Sequence, residues 1–283
     1  MEAPPRLLEE PYRSRAVPPV TARYLSWLFA ASECREPLLG IYALTAEWRA
    51  LIDPATEPSA ARLKLTWWSE EIRRLNRGAP LHPISRYLAA LPRAPTVDFE
   101  PLEATLEAAA RQIAGAPLER GSELEPHAAA LFANPLVVAA HLAREPSSEP
   151  PGKVASSLKA LAAGLYLAAA IADYRREALN GRVVFPVDEL LVAQIENADL
   201  TAAEPPLHLQ SYLTSLRRRA VQLFAAAADA LPRAEHAALR HVLILAALGA
   251  THLNSPKAAA GRLRLRDLYL AWSTARLAAR PGS

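Results

Sequence analysis

Cysteine is nearly absent: Cys34 is the only one in 283 residues. One thiol excludes an internal disulfide framework and a cysteine-rich zinc site, and it suits a reducing compartment. Glycine is scarce too, ten residues in all, and no G-x-G-x-x-G or P-loop occurs, so a nucleotide fold is not expected. Aromatics make up only 6% of the chain. With alanine and leucine abundant, that argues against a β-sandwich and for helix. Lysine is confined to Lys64, Lys153, Lys159 and Lys257, so the positive charge is almost all arginine. Arginine's planar fork suits phosphate and carboxylate, although heavy Arg, Ala and Pro usage is also what a GC-rich genome produces. The net charge of +3 does not call for nucleic acid. No leader stands out in the charged, proline-broken N-terminus, and the longest apolar run, Leu161 to Ala172, falls short of the about 18 residues a spanning helix needs. These absences lead us to expect a cytoplasmic protein that crosses no membrane, with peripheral membrane contact left open.

What is present is helical periodicity broken by proline and glycine. Leu38, Ile41, Thr45, Trp48 and Ile52 share one spacing, and Leu65, Trp68, Ile72 and Leu75 another. Helices are expected near 21–31, 35–52, 59–77, 83–91, 101–114, 124–143, 154–179, 212–231, 235–252 and 263–278. Asp53-Pro54 ends the second, because the residue before proline avoids the α region. Glu145–Gly152 reads as an exposed loop, and Val183–Pro186 is the one short strand pattern. The expected fold class is all-α, with a flexible lead over 1–19 and a single helical domain over 20–280.

The helix over 154–179 is apolar almost all round, which marks it as central and buried. Its middle is rich in small residues: Ala162, Ala163, Gly164, Ala168, Ala169, Ala170, Ala172. These either permit close helix packing, the favoured reading, or leave space for a cavity wall. Farther along, Tyr166, Ala169, Asp173 and Glu177 share a face, as do Tyr42, Ala46, Arg49 and Asp53 on the earlier helix. Carboxylates at i and i+4 can hold Mg²⁺ jointly. By spacing alone the commoner outcome is a solvated helix end in which Asp173 and Glu177 pair with Arg175, Arg176 or Arg182.

The wider constellation resembles the squalene/phytoene synthase family. The matching residues are Arg35 and Tyr42-Ala43, then Arg62 with Trp67-Trp68, then His82-Pro83; farther on come Asp173, Glu177, Gly181-Arg182 and Pro186. The resemblance implies an isoprenoid-synthase bundle around a central apolar cavity, with two acidic clusters facing each other at its mouth. It implies Mg²⁺, if the protein is catalytic, held by Asp53, Asp173 and Glu177; without catalysis no cofactor is expected. Arg35 and Arg182 would face a diphosphate, and Tyr42, Arg49, Trp68, Tyr166 and Ala169 would lie in the cavity or at its mouth. In the family the chemistry is head-to-head joining of prenyl diphosphates.

The match breaks at the metal sites. Arg49 stands where the family carries its leading metal-binding Asp, Ala169 and Ala172 where it carries Asn and Arg, and His127 where it carries a tyrosine. The same resemblance would bring Arg49 near Asp173 and Glu177, as a fixed cation in the space Mg²⁺ fills elsewhere. Reduced clusters, with Glu47 after the Tyr-Ala segment, resemble a divergent branch that includes the mitochondrial complex I assembly factor and its bacterial relatives. The expected function is therefore that of a non-catalytic or altered member binding a prenyl or other lipid chain or a protein partner. A divergent Mg²⁺-dependent prenyltransferase is the alternative.

Other motifs read more plainly. Of Trp67 and Trp68, one must face away from the other. The seven histidines show no metal spacing, and Cys34 lies in no nucleophile signature. Arg217-Arg218-Arg219 and the group Arg262, Arg264, Arg266 read as solvated helix faces, with a lipid-headgroup patch as the lesser alternative.

Overall fold

In a computed structural model the residues described are 7–53, 56–144, 151–254 and 265–280, and no strand occurs among them. The helices are α1 (Glu10–Ala16), α2 (Ala22–Leu28), α3 (Ser32–Leu51), α4 (Pro58–Asn76), α5 (Pro83–Ala89), α6 (Pro101–Ile113) and α7 (Leu124–Ala128). They continue as α8 (Asn134–Ala143), α9 (Pro151–Leu179), α10 (Val187–Val192), α11 (Asn197–Thr201), α12 (Leu207–Ala230), α13 (Arg240–Leu253) and α14 (Leu265–Ala278). Starts follow capping chemistry. Thr21 Oγ1 accepts from the Tyr24 amide at 3.1 Å, the Glu57 carboxylate from the Ser59 and Ala60 amides at 3.0 and 2.8 Å, and His82 Nδ1 from Ile84 at 3.2 Å. α4, α6 and α9 run out into Gly78, Gly115 and Gly181, all at positive φ, where a Cβ would be strained.

α9 is the axis of the bundle. It packs mainly on α12, with α13, α7 and the turn after α7 around it, while α3 is held by α1, α5, α6 and α8. Its first half is tight. Ser157 Oγ donates to the Ala227 carbonyl of α12 at 2.6 Å, and the Phe224 ring lies between two glycines. A Cβ at Gly164 would stand 2.8 Å from that ring, and one at Gly249 closer still. Two helical stretches, 121–143 and 152–179, are long and apolar enough to cross a membrane by length and composition alone, and both pack inside the bundle along about half their most apolar windows.

Several expectations change. Residues 10–16, assigned to a flexible lead, form α1, which Arg15 pins to Glu47 of α3 at 2.8 Å. The helix expected over 124–143 widens to a π turn at Ala129–Ala133, just before Pro135. Proline has no amide to close the normal ladder, and the Thr105 hydroxyl takes the Ala130 carbonyl at 2.7 Å. Val183–Pro186 finds no strand partner among the described residues. Instead its Val184 carbonyl accepts from Tyr166 Oη at 2.8 Å, and Val187 donates to the Leu118 carbonyl at 2.8 Å. Of the loop expected at Glu145–Gly152, residues 145–150 lie outside the described residues, and Pro151 and Gly152 open α9. α10 and α11, too short to show a periodic pattern, were not foreseen.

Candidate functional site: a cavity with an arginine-filled mouth

Between α3 and α6–α8 on one side and the second half of α9 on the other lies a cavity of about 1080 Å³. Its inner wall is apolar: Leu131, Phe132 and Leu136 from the π turn and α8 face Leu165, Ala169 and Ala170 from α9. Here the small residues of α9 leave room. Tyr166 and His127 meet edge-on, ring centroids 5.4 Å apart. Burial pushes the Tyr166 phenol up to about 12, and burial together with Arg111 pushes His127 down to about 4, so both are neutral at neutral pH. Trp48 also lines the cavity, and its buried indole N–H has no acceptor among the described residues.

The mouth is polar. Asp53 at the end of α3 and Asp173 and Glu177 on α9 all line the cavity, as the sequence led us to expect. The cation paired with both Asp173 and Glu177 is Arg176, however, rather than Arg49. Arg176 Nη2 lies 3.1 Å from Asp173 and 3.0 Å from Glu177. Its hydrogen bond to Glu177, with the charges of Asp173, Glu177 and Asp53, raises its pKa. Arg182 supplies a second cation. Gly181 reverses the chain after α9, and the Arg182 guanidinium returns to Glu177 at 2.5 and 2.7 Å while donating to the Ile52 carbonyl at 2.7 Å. Arg182 thus ties the end of α9 to the end of α3.

Two more arginines line the same cavity, Arg49 and Arg23. Among the described residues no ion pair joins Arg49 to Asp173 or Glu177. The Arg23 guanidinium lies over the Tyr42 ring at 4.9 Å and donates a long hydrogen bond, 3.5 Å, to the Ala16 carbonyl. Burial lowers its pKa to about 10; Tyr42 opposes the shift and the nearby charge of Arg49 adds to it. Tyr42 Oη is shared with Ser26 Oγ at 3.3 Å, and burial raises its own pKa. Arg23 is the cavity-lining residue that sequence reasoning missed, whereas the pairs of Arg176 with Asp173 and Glu177 and of Arg182 with Glu177 are among those that helix spacing led us to expect. A lone arginine on a two-turn helix gave no signal for Arg23.

Two expected site residues stand elsewhere. The Arg35 guanidinium donates to the Leu28 carbonyl at 3.1 Å on the exposed side of α3, and the residue does not line the cavity. Trp68 is buried behind the wall, against Trp48 at 5.9 Å and His82 at 4.5 Å, while its neighbour Trp67 faces outward. Trp68 therefore supports Trp48 and does not touch the cavity.

As arranged, the carboxylates of α9 at the mouth are engaged by guanidiniums. Glu177 is taken up by two guanidiniums and Asp173 by one. Among the described residues, four arginines line the cavity against three carboxylates. Among the described residues no group of three or more His, Cys, Asp or Glu side chains could hold an ion. Such a mouth can receive an anion directly, through guanidinium hydrogen bonds.

The squalene/phytoene synthase profile matches residues 20–274. A dehydrosqualene synthase crystallised with a ligand superposes with a TM-score of 0.75 at 15% identity, over 90% of each chain. Squalene synthase HpnC from Alicyclobacillus acidocaldarius superposes with a TM-score of 0.69 at 18% identity, over 90% of this chain and 92% of that one. At such identities the likeness shows the shared isoprenoid-synthase helical fold alone. No curated protein matches the chain.

Proposed function

The chain belongs to the squalene/phytoene synthase family, and from that premise we propose that it is a non-catalytic or strongly altered member that holds a prenyl or other lipid chain in its cavity. The observation that carries this reading is Arg176, a guanidinium set among the three carboxylates that would have to bind metal. The apolar inner wall takes the chain. An anionic head would meet Arg23 and Arg49 at the mouth, and among the described residues no carboxylate pairs with Arg23. Even half-buried, a guanidinium without a counter-ion carries a desolvation cost, and an anionic ligand offsets it. The reduced acidic set, with Glu47 after Tyr42-Ala43, supports a place in the divergent branch resembling the complex I assembly factor, in which a protein partner would read the loaded state.

One observation favours the catalytic alternative. Asp53, Asp173 and Glu177 share one cavity, and Arg176 is 62% exposed, free to swing aside for Mg²⁺. The two readings separate on diphosphate release from farnesyl and geranylgeranyl diphosphate, with and without Mg²⁺, by the wild type and by Arg49→Asp. Silence from the folded wild type supports the binding role. Metal-dependent release overturns it and makes the three carboxylates the next residues to replace. Release by Arg49→Asp alone would identify that arginine as what closed the reaction.

A further inference from the structure

The outer face of α14 is apolar, and no described element packs on it. Leu265, Leu268, Tyr269 and Trp272 follow helical spacing and stand 86%, 41%, 66% and 41% exposed. The opposite face is ordinary core: Ala271 and Ala275 pack with Leu25 of α2 and with Ile244 and Leu248 of α13. The helix holds one acid, Asp267, and it is buried and turned toward His252 at 3.3 Å. Every exposed charge on this helix and its end is an arginine: Arg266, Arg276 and Arg280. Arg276 lies over the Trp272 ring at 4.8 Å, so cation and indole form one patch.

We infer that this face of α14 docks the protein on an anionic lipid surface, the leucines and aromatic rings entering the headgroup boundary and the arginines meeting the phosphates. An interfacial helix has this make-up, an apolar stripe carrying Trp and Tyr beside cationic side chains and no exposed acid. The charge pattern argues against a second copy of the chain as the occupant. A two-fold contact through this face would set arginines against arginines, with no exposed carboxylate on the helix to answer them. A second cavity, of about 650 Å³, adjoins the helix; Phe224 and Leu243 line it with Leu277, and Arg233 and Arg280 belong to its wall. Its α14 lining, which includes Leu277 and Ala278, lies off the face carrying Leu268, Tyr269 and Trp272, so the cavity takes no part in the docking. This inference is independent of what the central cavity holds.

The test is flotation of the full chain with phosphatidylcholine vesicles, with and without phosphatidylglycerol, at low and high salt. Binding should require the anionic lipid and weaken with salt. Trp272→Glu, at an exposed position that leaves the core untouched, should abolish it. Arg276→Gln should lower the partition coefficient about fivefold, as one interfacial arginine is worth about 1 kcal/mol. Leu63→Glu, on the exposed face of α4, should change nothing. No binding by the folded wild type, or binding that Trp272→Glu leaves intact, overturns the inference. So does a dimer in light scattering that Trp272→Glu dissociates in the absence of lipid, because the face would then belong to a second copy.

Discussion

The two halves of α9 use the same small residues to opposite ends. In the first half, Gly164 lets the Phe224 ring of α12 press against the backbone, and Ser157 bonds across to α12. In the second half, Ala169 and Ala170 face Leu131, Phe132 and Leu136 across open space. A small side chain specifies only that something else can come close. Whether a ring fills the gap or a ligand does is decided by the opposing helix: α12 brings a phenylalanine, whereas α6 and α8 stand off behind the π turn.

The strongest way to break this contrast is at the ring. Phe224→Ala should lower unfolding free energy by about 4 kcal/mol, since it empties a fully buried site that two flanking glycines cannot fill; urea denaturation measures it. Gly164→Val should cost about 2 kcal/mol by overpacking the same contact. Next in size is a pH effect. His241, on α13 in the packed part of the bundle, is buried with neither ring nitrogen bonded among the described residues, and burial with Arg240 pushes it down to about 4. Its folded pKa lies below the unfolded value of 6.5, so its neutral form favours the fold above pH 6.5, and that stability is lost as the pH falls toward 4. His241→Leu should remove about 1 kcal/mol of the stability difference between pH 7 and pH 5.5, read from melting curves at the two values. The smallest effect should be Ala169→Phe. Facing the cavity, it should change stability by less than about 1 kcal/mol while filling the space a ligand needs, which thermal melts and a binding assay report together.

The fold was legible because helical spacing and proline punctuation are local signals. The segments from Arg35 to Ile52 and from Ser59 to Arg77 reappear as α3 and α4 within a few residues. At the mouth, it was the family resemblance that implied facing positions for Asp53, Asp173 and Glu177, while Gly181 announced the turn that brings Arg182 back. The sequence could not choose among arginines. Arg49, Arg176 and Arg182 all stand one or two turns from a carboxylate, and the pairing depends on how the ends of α3 and α9 approach, a tertiary fact. Arg23 was invisible for the same reason, since only the packing of α2 on α3 puts it over Tyr42. Trp68 misled because its stripe is a core stripe, and the cavity begins one ring farther on, at Trp48.

The central claim is that the cavity takes an anionic lipid without metal. Calorimetric titration of farnesyl diphosphate in the presence of EDTA tests it most directly, with Ala169→Phe as the filled-cavity control. The account predicts saturable binding by the wild type, little change when Mg²⁺ replaces EDTA, and no binding by Ala169→Phe. Binding that appears only with Mg²⁺ would contradict it and return the three carboxylates to a metal.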